Sequence, residues 1–79
     1  MKKYNDNELA AVYCNCCGKK LKVEHGIVKE GVFMADILWG YFSEKDGEQH
    51  EFDICENCYE LLIEKFRIPV ERRNFREFL

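Results

Sequence analysis

The sequence predicts a small α+β domain organised around four cysteines, and three observations carry that reading. Two Cys-x-x-Cys pairs, Cys14 with Cys17 and Cys55 with Cys58, lie toward opposite ends of the 79-residue chain. Between them, apolar alternation on either side of a turn fits a β-hairpin. From the second pair onward the apolar period becomes that of a helix. A chain this short is one domain at most, and it rarely stabilises itself by core burial alone.

The chemistry of the four cysteines follows from their spacing. A Cys-x-x-Cys turn presents two sulfurs on one side of a tight loop, and a second turn completes a tetrahedron with Zn–S bonds of about 2.3 Å. Cys14, Cys17, Cys55 and Cys58 are therefore the expected ligands of one structural Zn2+ per chain. Gly18 follows the first pair, where a residue without a Cβ lets backbone N–H groups turn toward the sulfurs. The 37 residues between Cys17 and Cys55 exceed the roughly 15–20 of simple zinc ribbons. A tetrahedral site of four sulfurs accepts iron as well as zinc.

Other uses of the cysteines fit less well. A secreted disulfide framework calls for an export signal, but residues 1–8 are polar where an apolar segment would begin. A thioredoxin-like site calls for one pair after a strand of an α/β domain, which this chain has no room to build. Cys16, the fifth thiol, is expected to be a spectator because four ligands fill a structural site. Reduced thiols point to the cytoplasm. No apolar stretch approaches the roughly 18 residues of a membrane span.

Taken in order, residues 19–24 alternate as a strand leaving the first pair of cysteines, and Gly26 and Gly31 bracket a short piece at 27–30. Residues 32–42 form the most apolar run. Phe33, Ala35, Ile37, Trp39 and Tyr41 fall on one face, while Val32, Met34, Leu38 and Phe42 make the other apolar too. A turn with Asp46-Gly47 follows, and His50, Phe52 and Ile54 alternate in a returning strand that delivers Cys55. Asp53-x-x-Glu56 has the form of a capping box. Tyr59, Leu62, Ile63 and Phe66 then mark one helix face, with Cys55 and Cys58 in the first turn, where the positive dipole end stabilises thiolates. Pro69 sets the expected end near Arg67.

The order of cysteine knuckle, hairpin and helix carrying the second pair resembles the treble-clef zinc fingers, which the chain matches at Cys14, Cys17, Cys55 and Cys58. The run from Trp39 through Tyr59, with Phe66-x-Ile68-Pro69-Val70 after it, also resembles a group of small bacterial four-cysteine zinc-binding proteins without an assigned activity. The resemblance spans roughly residues 14–70. It implies a fold and no particular reaction, since treble clefs serve many roles.

Catalysis is not expected. Four thiolates close the coordination sphere, whereas a catalytic zinc keeps an open position. His25 and His50 stand far apart in sequence without a matching motif, and each reads as an ordinary surface or hairpin residue. The expected job is protein–protein interaction, including self-association as a homodimer. So short a chain cannot bury Phe33, Trp39, Tyr41, Phe42, Phe52, Phe66, Phe75 and Phe78 together. The surfaces expected to carry contact are the strand around Ile37-Leu38-Trp39 and the tail aromatics Phe75 and Phe78 with Leu79.

Charge supplies the alternative. Residues 1–64 balance at −6 and residues 65–79 at +3, which together make the net −3. The tail residues Lys65, Arg67, Arg72, Arg73 and Arg76, with Lys19, Lys20 and Lys22 beside the first knuckle, suit a nucleic-acid-binding zinc finger. An acidic body speaks against it, because phosphate neutralisation supplies most non-specific affinity. The expected organisation is one zinc-binding domain over residues 1–79, with 68–79 a basic aromatic tail packed on it or on a partner.

Overall fold

The computed structural model describes residues 1–75, and it opens with a hairpin that the sequence patterning did not announce. Strands β1 (Lys2–Asn5) and β2 (Glu8–Tyr13) pair antiparallel. Asp6 and Asn7 close them at φ 52° and 68°, a left-handed turn that short polar side chains tolerate. β2 goes on to pair with β3 (Lys20–Leu21), setting Val12 directly opposite Leu21. That pair is the driest point among the described residues, at 0% and 1% exposure. Cys14, Ile54, Cys55 and Cys58 complete the cluster, so the core and the cysteines are one object.

The strand expected over 19–24 is divided at Lys22. β3 belongs to the first sheet, whereas β4 (Val23–Glu24) pairs with β5 (Ile27–Val28) in a second, across a turn with His25 and Gly26 at positive φ. The division has a local cause. The Lys22 N–H donates to the Glu30 carboxylate at 2.7 Å, not to a neighbouring strand.

The expected hairpin is present as β6 (Val32–Leu38) and β7 (Gln49–Cys55), paired in unbroken register from Val32 opposite Cys55 to Leu38 opposite Gln49. Residues 39–42 lie outside the strand and belong to the connection, where Gly47 adopts φ 91°. Register separates the two faces that looked equally apolar in sequence. Phe33, Ala35 and Ile37 share one face with Ile54, Phe52 and His50, while Val32, Met34, Asp36 and Leu38 share the other with Cys55, Asp53, Glu51 and Gln49.

Helix α1 (Glu56–Ile63) follows β7 without a loop and lays Tyr59 against Phe33, ring centroids 5.6 Å apart. Three expectations fail here. The helix ends at Ile63, short of Arg67, because the N–H groups of Lys65 and Phe66 turn back to Leu62 and Ile63 in tighter i to i+3 bonds. Phe66, expected on the buried helix face, is 46% exposed beyond that end, and Leu62 is 41% exposed. The capping box is also absent: Cys55 is the N-cap and its side chain accepts no capping hydrogen bond from the first turn. Asp53 is occupied elsewhere, buried in β7 and accepting from Lys2 Nζ and, at 2.8 Å, from the Met1 amino group. Burial pushes the Asp53 carboxyl up, but those two cations hold it below its usual range.

Ile68 and Phe75 in the tail are exposed. Arg76, Phe78 and Leu79 lie outside the described residues. No helix among the described residues is long and apolar enough to cross a membrane.

With so small an interior, one methyl cluster matters. Leu21→Ala should cost about 3 kcal/mol of unfolding free energy, from lost burial plus the cavity left beside Val12. Phe42→Ala, at a residue 98% exposed, should change it by under about 0.5 kcal/mol. Urea denaturation of the metal-loaded protein measures both, and equal losses would overturn this placement of the core.

Candidate metal centre

Two separate pieces of backbone deliver the cysteines to one point. Cys14 follows β2 directly, and its N–H donates to the Lys19 carbonyl at 2.8 Å while its carbonyl accepts from Gly18 N–H at 2.8 Å. These bonds bend residues 14–19 into a knuckle with Cys14 and Cys17 on its inner side. Gly18 sits at φ 82° with open space where a Cβ would stand, so its role is conformational and not one of clearance. On the other side, Cys55 ends β7 and Cys58 lies in the first turn of α1.

Asn15 joins the two halves, and nothing in its sequence context named its partner. Its N–H donates to the Asp53 carbonyl at 2.7 Å and its side-chain Oδ1 accepts from the Asp53 N–H at 2.9 Å. The knuckle is thereby stitched to the outer edge of β7, two residues before Cys55. The only sequence cue was an asparagine inside a cysteine turn, a residue type that bridges to backbone.

The sulfurs of Cys14, Cys17, Cys55 and Cys58 all lie within 4.8 Å of one another, with Cys17 and Cys55 at 3.9 Å. Tetrahedral Zn–S bonds of about 2.3 Å require S–S separations of about 3.8 Å. The four are therefore positioned to hold one metal ion, and a set of four thiols suits zinc. Cys14, Cys55 and Cys58 are buried and Cys17 is exposed, so the centre opens to solvent on the knuckle side. Cys16 is exposed and stands outside this set of four. His25 lies in the β4–β5 turn, and His50 on β7 contacts Glu48 at 3.1 Å. Neither belongs to the cluster.

The thiols respond to one another as a set that cannot all ionise unaided. Burial pushes the Cys14 thiol up, but the backbone N–H groups of Cys17, Cys55 and Cys16 donate to it and bring it down to about 6. The Cys55 sulfur, followed by burial, raises Cys58 well above the ordinary thiol range. At Cys17 the Lys19 N–H lowers the thiol, yet the Cys14 sulfur and burial raise it overall. One thiolate forms readily and suppresses its neighbours. A divalent cation at the centre removes that conflict.

Near the knuckle, Lys19 Nζ lies 3.3 Å from the Glu30 carboxylate, and Lys22 Nζ lies 3.6 Å from Glu24. The Lys22 backbone N–H, set against some desolvation, and the Lys19 ammonium hold Glu30 below its ordinary carboxyl range. No family model, curated protein or solved structure matches the chain.

Two outcomes follow from this geometry. Cys58→Ser should release the metal and the cooperative fold together, because site binding energy is folding energy in such domains. Cys16→Ser should retain both. Elemental analysis with circular dichroism before and after chelation checks this, and a metal-free chain that keeps a cooperative thermal transition would sink it. For Glu30, a lowered folded value means its small stabilising contribution is present above the ordinary carboxyl range and is lost as pH falls through the lowered one. Carboxyl carbon chemical shifts should show that depressed midpoint, and Lys19→Ala should move it upward. An unmoved midpoint refutes the ion pair.

Proposed function

We propose that the chain is a structural-zinc binding module of the treble-clef kind whose hairpin docks against another protein chain, self-association being one form of that contact. The observation that carries the reading is the uncharged face of the β6–β7 hairpin. Phe33, Ile37 and Phe52 on that face are 41%, 42% and 37% exposed, and register places no Asp, Glu, Lys or Arg among them. Tyr41 and Phe42 add exposures of 81% and 98% from the connection. Aromatic and aliphatic side chains left in water on a rigid sheet are the usual anchors of protein interfaces.

The metal has a supporting role on this reading. It anchors both β7 and α1 through Cys55 and Cys58, so the face it backs is held rigid before binding, which lowers the entropic cost of association. Four thiolates leave no open coordination position, so the module is proposed to have no catalytic turnover. Zinc thiolates persist in a reducing compartment, which fits the cytoplasm.

Nucleic-acid binding has less support. Lys19 and Lys22 are each paired with a glutamate, and Arg73 is paired with Glu71 at 2.8 Å. These cations are already partly neutralised, and the body around them is acidic.

The face can be tested directly. Metal-loaded wild type immobilised on resin should retain a specific protein from its native extract, and Ile37→Lys with Phe52→Glu should reduce that capture at least about tenfold without loss of metal. Capture indifferent to both changes, or material released by nuclease, would refute the reading.

A further inference from the structure

We infer that the free edge of β6 pairs antiparallel with β6 of a second copy of the chain, in a two-fold register centred on Ala35. The inference rests on the protein-binding reading above and names both the surface and its occupant.

Hydrogen-bond phase identifies the open edge. Trp39 N–H donates to the Glu48 carbonyl at 2.9 Å, continuing the register that pairs Ile37 with His50. The backbone polar groups of Ile37, Ala35 and Phe33 therefore point toward β7, and those of Leu38, Asp36, Met34 and Val32 point away. The outward groups of these four residues have no hydrogen-bond partner among the described residues. The outer edge of β7, by contrast, is held at Asp53 by Asn15.

The same chain shows how it protects an edge elsewhere. β1 carries Lys2 and Lys3 and breaks register between Lys3 and Tyr4. β6 carries no lysine, no proline and no register break over seven residues. An unprotected edge of that kind is a template for strand addition. A two-stranded sheet is also marginal by itself, whereas a four-stranded one is not.

Self-pairing is favoured over an arbitrary peptide because the edge complements itself. Ala35 is the midpoint of Val32–Leu38, so centring there overlaps the whole strand. Phe33 then faces Ile37 of the second copy, Val32 faces Leu38, and Met34 faces Asp36, which keeps the two Asp36 carboxylates from opposing each other. Each of the four outward residues supplies a donor and an acceptor. Symmetric pairing thus makes about eight main-chain bonds, near the roughly ten of a typical interface.

A groove waits at the required place. Gly31, Val32, Phe33, Glu56 and Tyr59 line an apolar cleft of about 230 Å3 beside the start of β6. In the Ala35 register, Ile37 of the second copy arrives beside Phe33 at this cleft, and Trp39 arrives opposite Gly31, which brings no side chain of its own and has the Glu56 side chain beside it. A Cβ at Gly31 would meet the Glu56 carboxylate, whose flexible end would have to swing aside.

Light scattering of the zinc-loaded full chain should give twice 9.4 kDa at high micromolar concentration and fall toward one chain on dilution. Over the same series, the amides of Met34, Asp36 and Leu38 should gain hydrogen-exchange protection with concentration. Met34→Glu sets like charges opposite Asp36 and should weaken the dimer roughly two- to tenfold; adding Asp36→Lys should restore it. Met34 is 46% exposed, so retained metal and dichroism certify the fold. Because each copy carries −3, added salt should not weaken the dimer, unlike a phosphate contact. A monomer at high micromolar concentration overturns the inference. A dimer whose β6 amides exchange equally at every concentration also overturns it. Neither result touches the reading above, which stands or falls on capture through Ile37 and Phe52.

Discussion

Four sulfurs held within 4.8 Å of one another are the constraint on which the other parts of this structure depend. Thiols at that distance cannot ionise together without a cation, because each thiolate raises the cost of the next. The opposite displacements of Cys14 and Cys58 express that conflict. A metal ion held there would turn mutual repulsion into a shared bond, at a place where the chain has little else to hold it. Among the described residues the largest fully buried side chains are those of Val12, Leu21 and Cys14.

The backbone around the centre is arranged so that each cysteine belongs to a different constraint. Cys14 is fixed by the first sheet, Cys17 by the turn that Gly18 permits, Cys55 by β7 and Cys58 by α1. Asn15 ties the knuckle to β7, and Asp53 gathers Lys2 from the first hairpin onto the same strand. A buried carboxylate is costly unless it is paired, so Asp53 also fixes where β1 lies. The N-terminal hairpin is thus part of the support of the metal centre even though it provides no ligand.

A centre this small leaves the β6–β7 hairpin covered at one end only. Phe33 meets Tyr59 of the helix, while Ile37, Leu38, Tyr41 and Phe42 are left exposed. Surface-to-volume scaling makes that outcome general for short chains. What distinguishes this chain is the order in the exposure: one face without Asp, Glu, Lys or Arg and one open edge, both on the hairpin whose returning strand ends at Cys55.

The centre and the elements beside it were legible in the sequence because each is local. Cysteine spacing, the Asp46-Gly47 turn, strand alternation and the helical period after Cys55 depend only on neighbours along the chain. Only tertiary structure decided the rest. The hairpin at Lys2–Tyr13 has little periodic apolar signal, and its value lies in one residue, Val12, meeting Leu21 across a ladder. The capping box was misread because Asp53 has two uses, and a distant ammonium partner outcompeted a local backbone N–H. The helix is shorter than its periodicity because Phe66, three residues past Ile63, finds no surface to bury against and is left exposed. The two apolar faces of 32–42 were indistinguishable until register put Asp53 and Glu51 on one and Phe52 and Ile54 on the other. Spacing along the chain chooses chemistry; which groups meet across it is set by pairing, and pairing is a property of the folded whole.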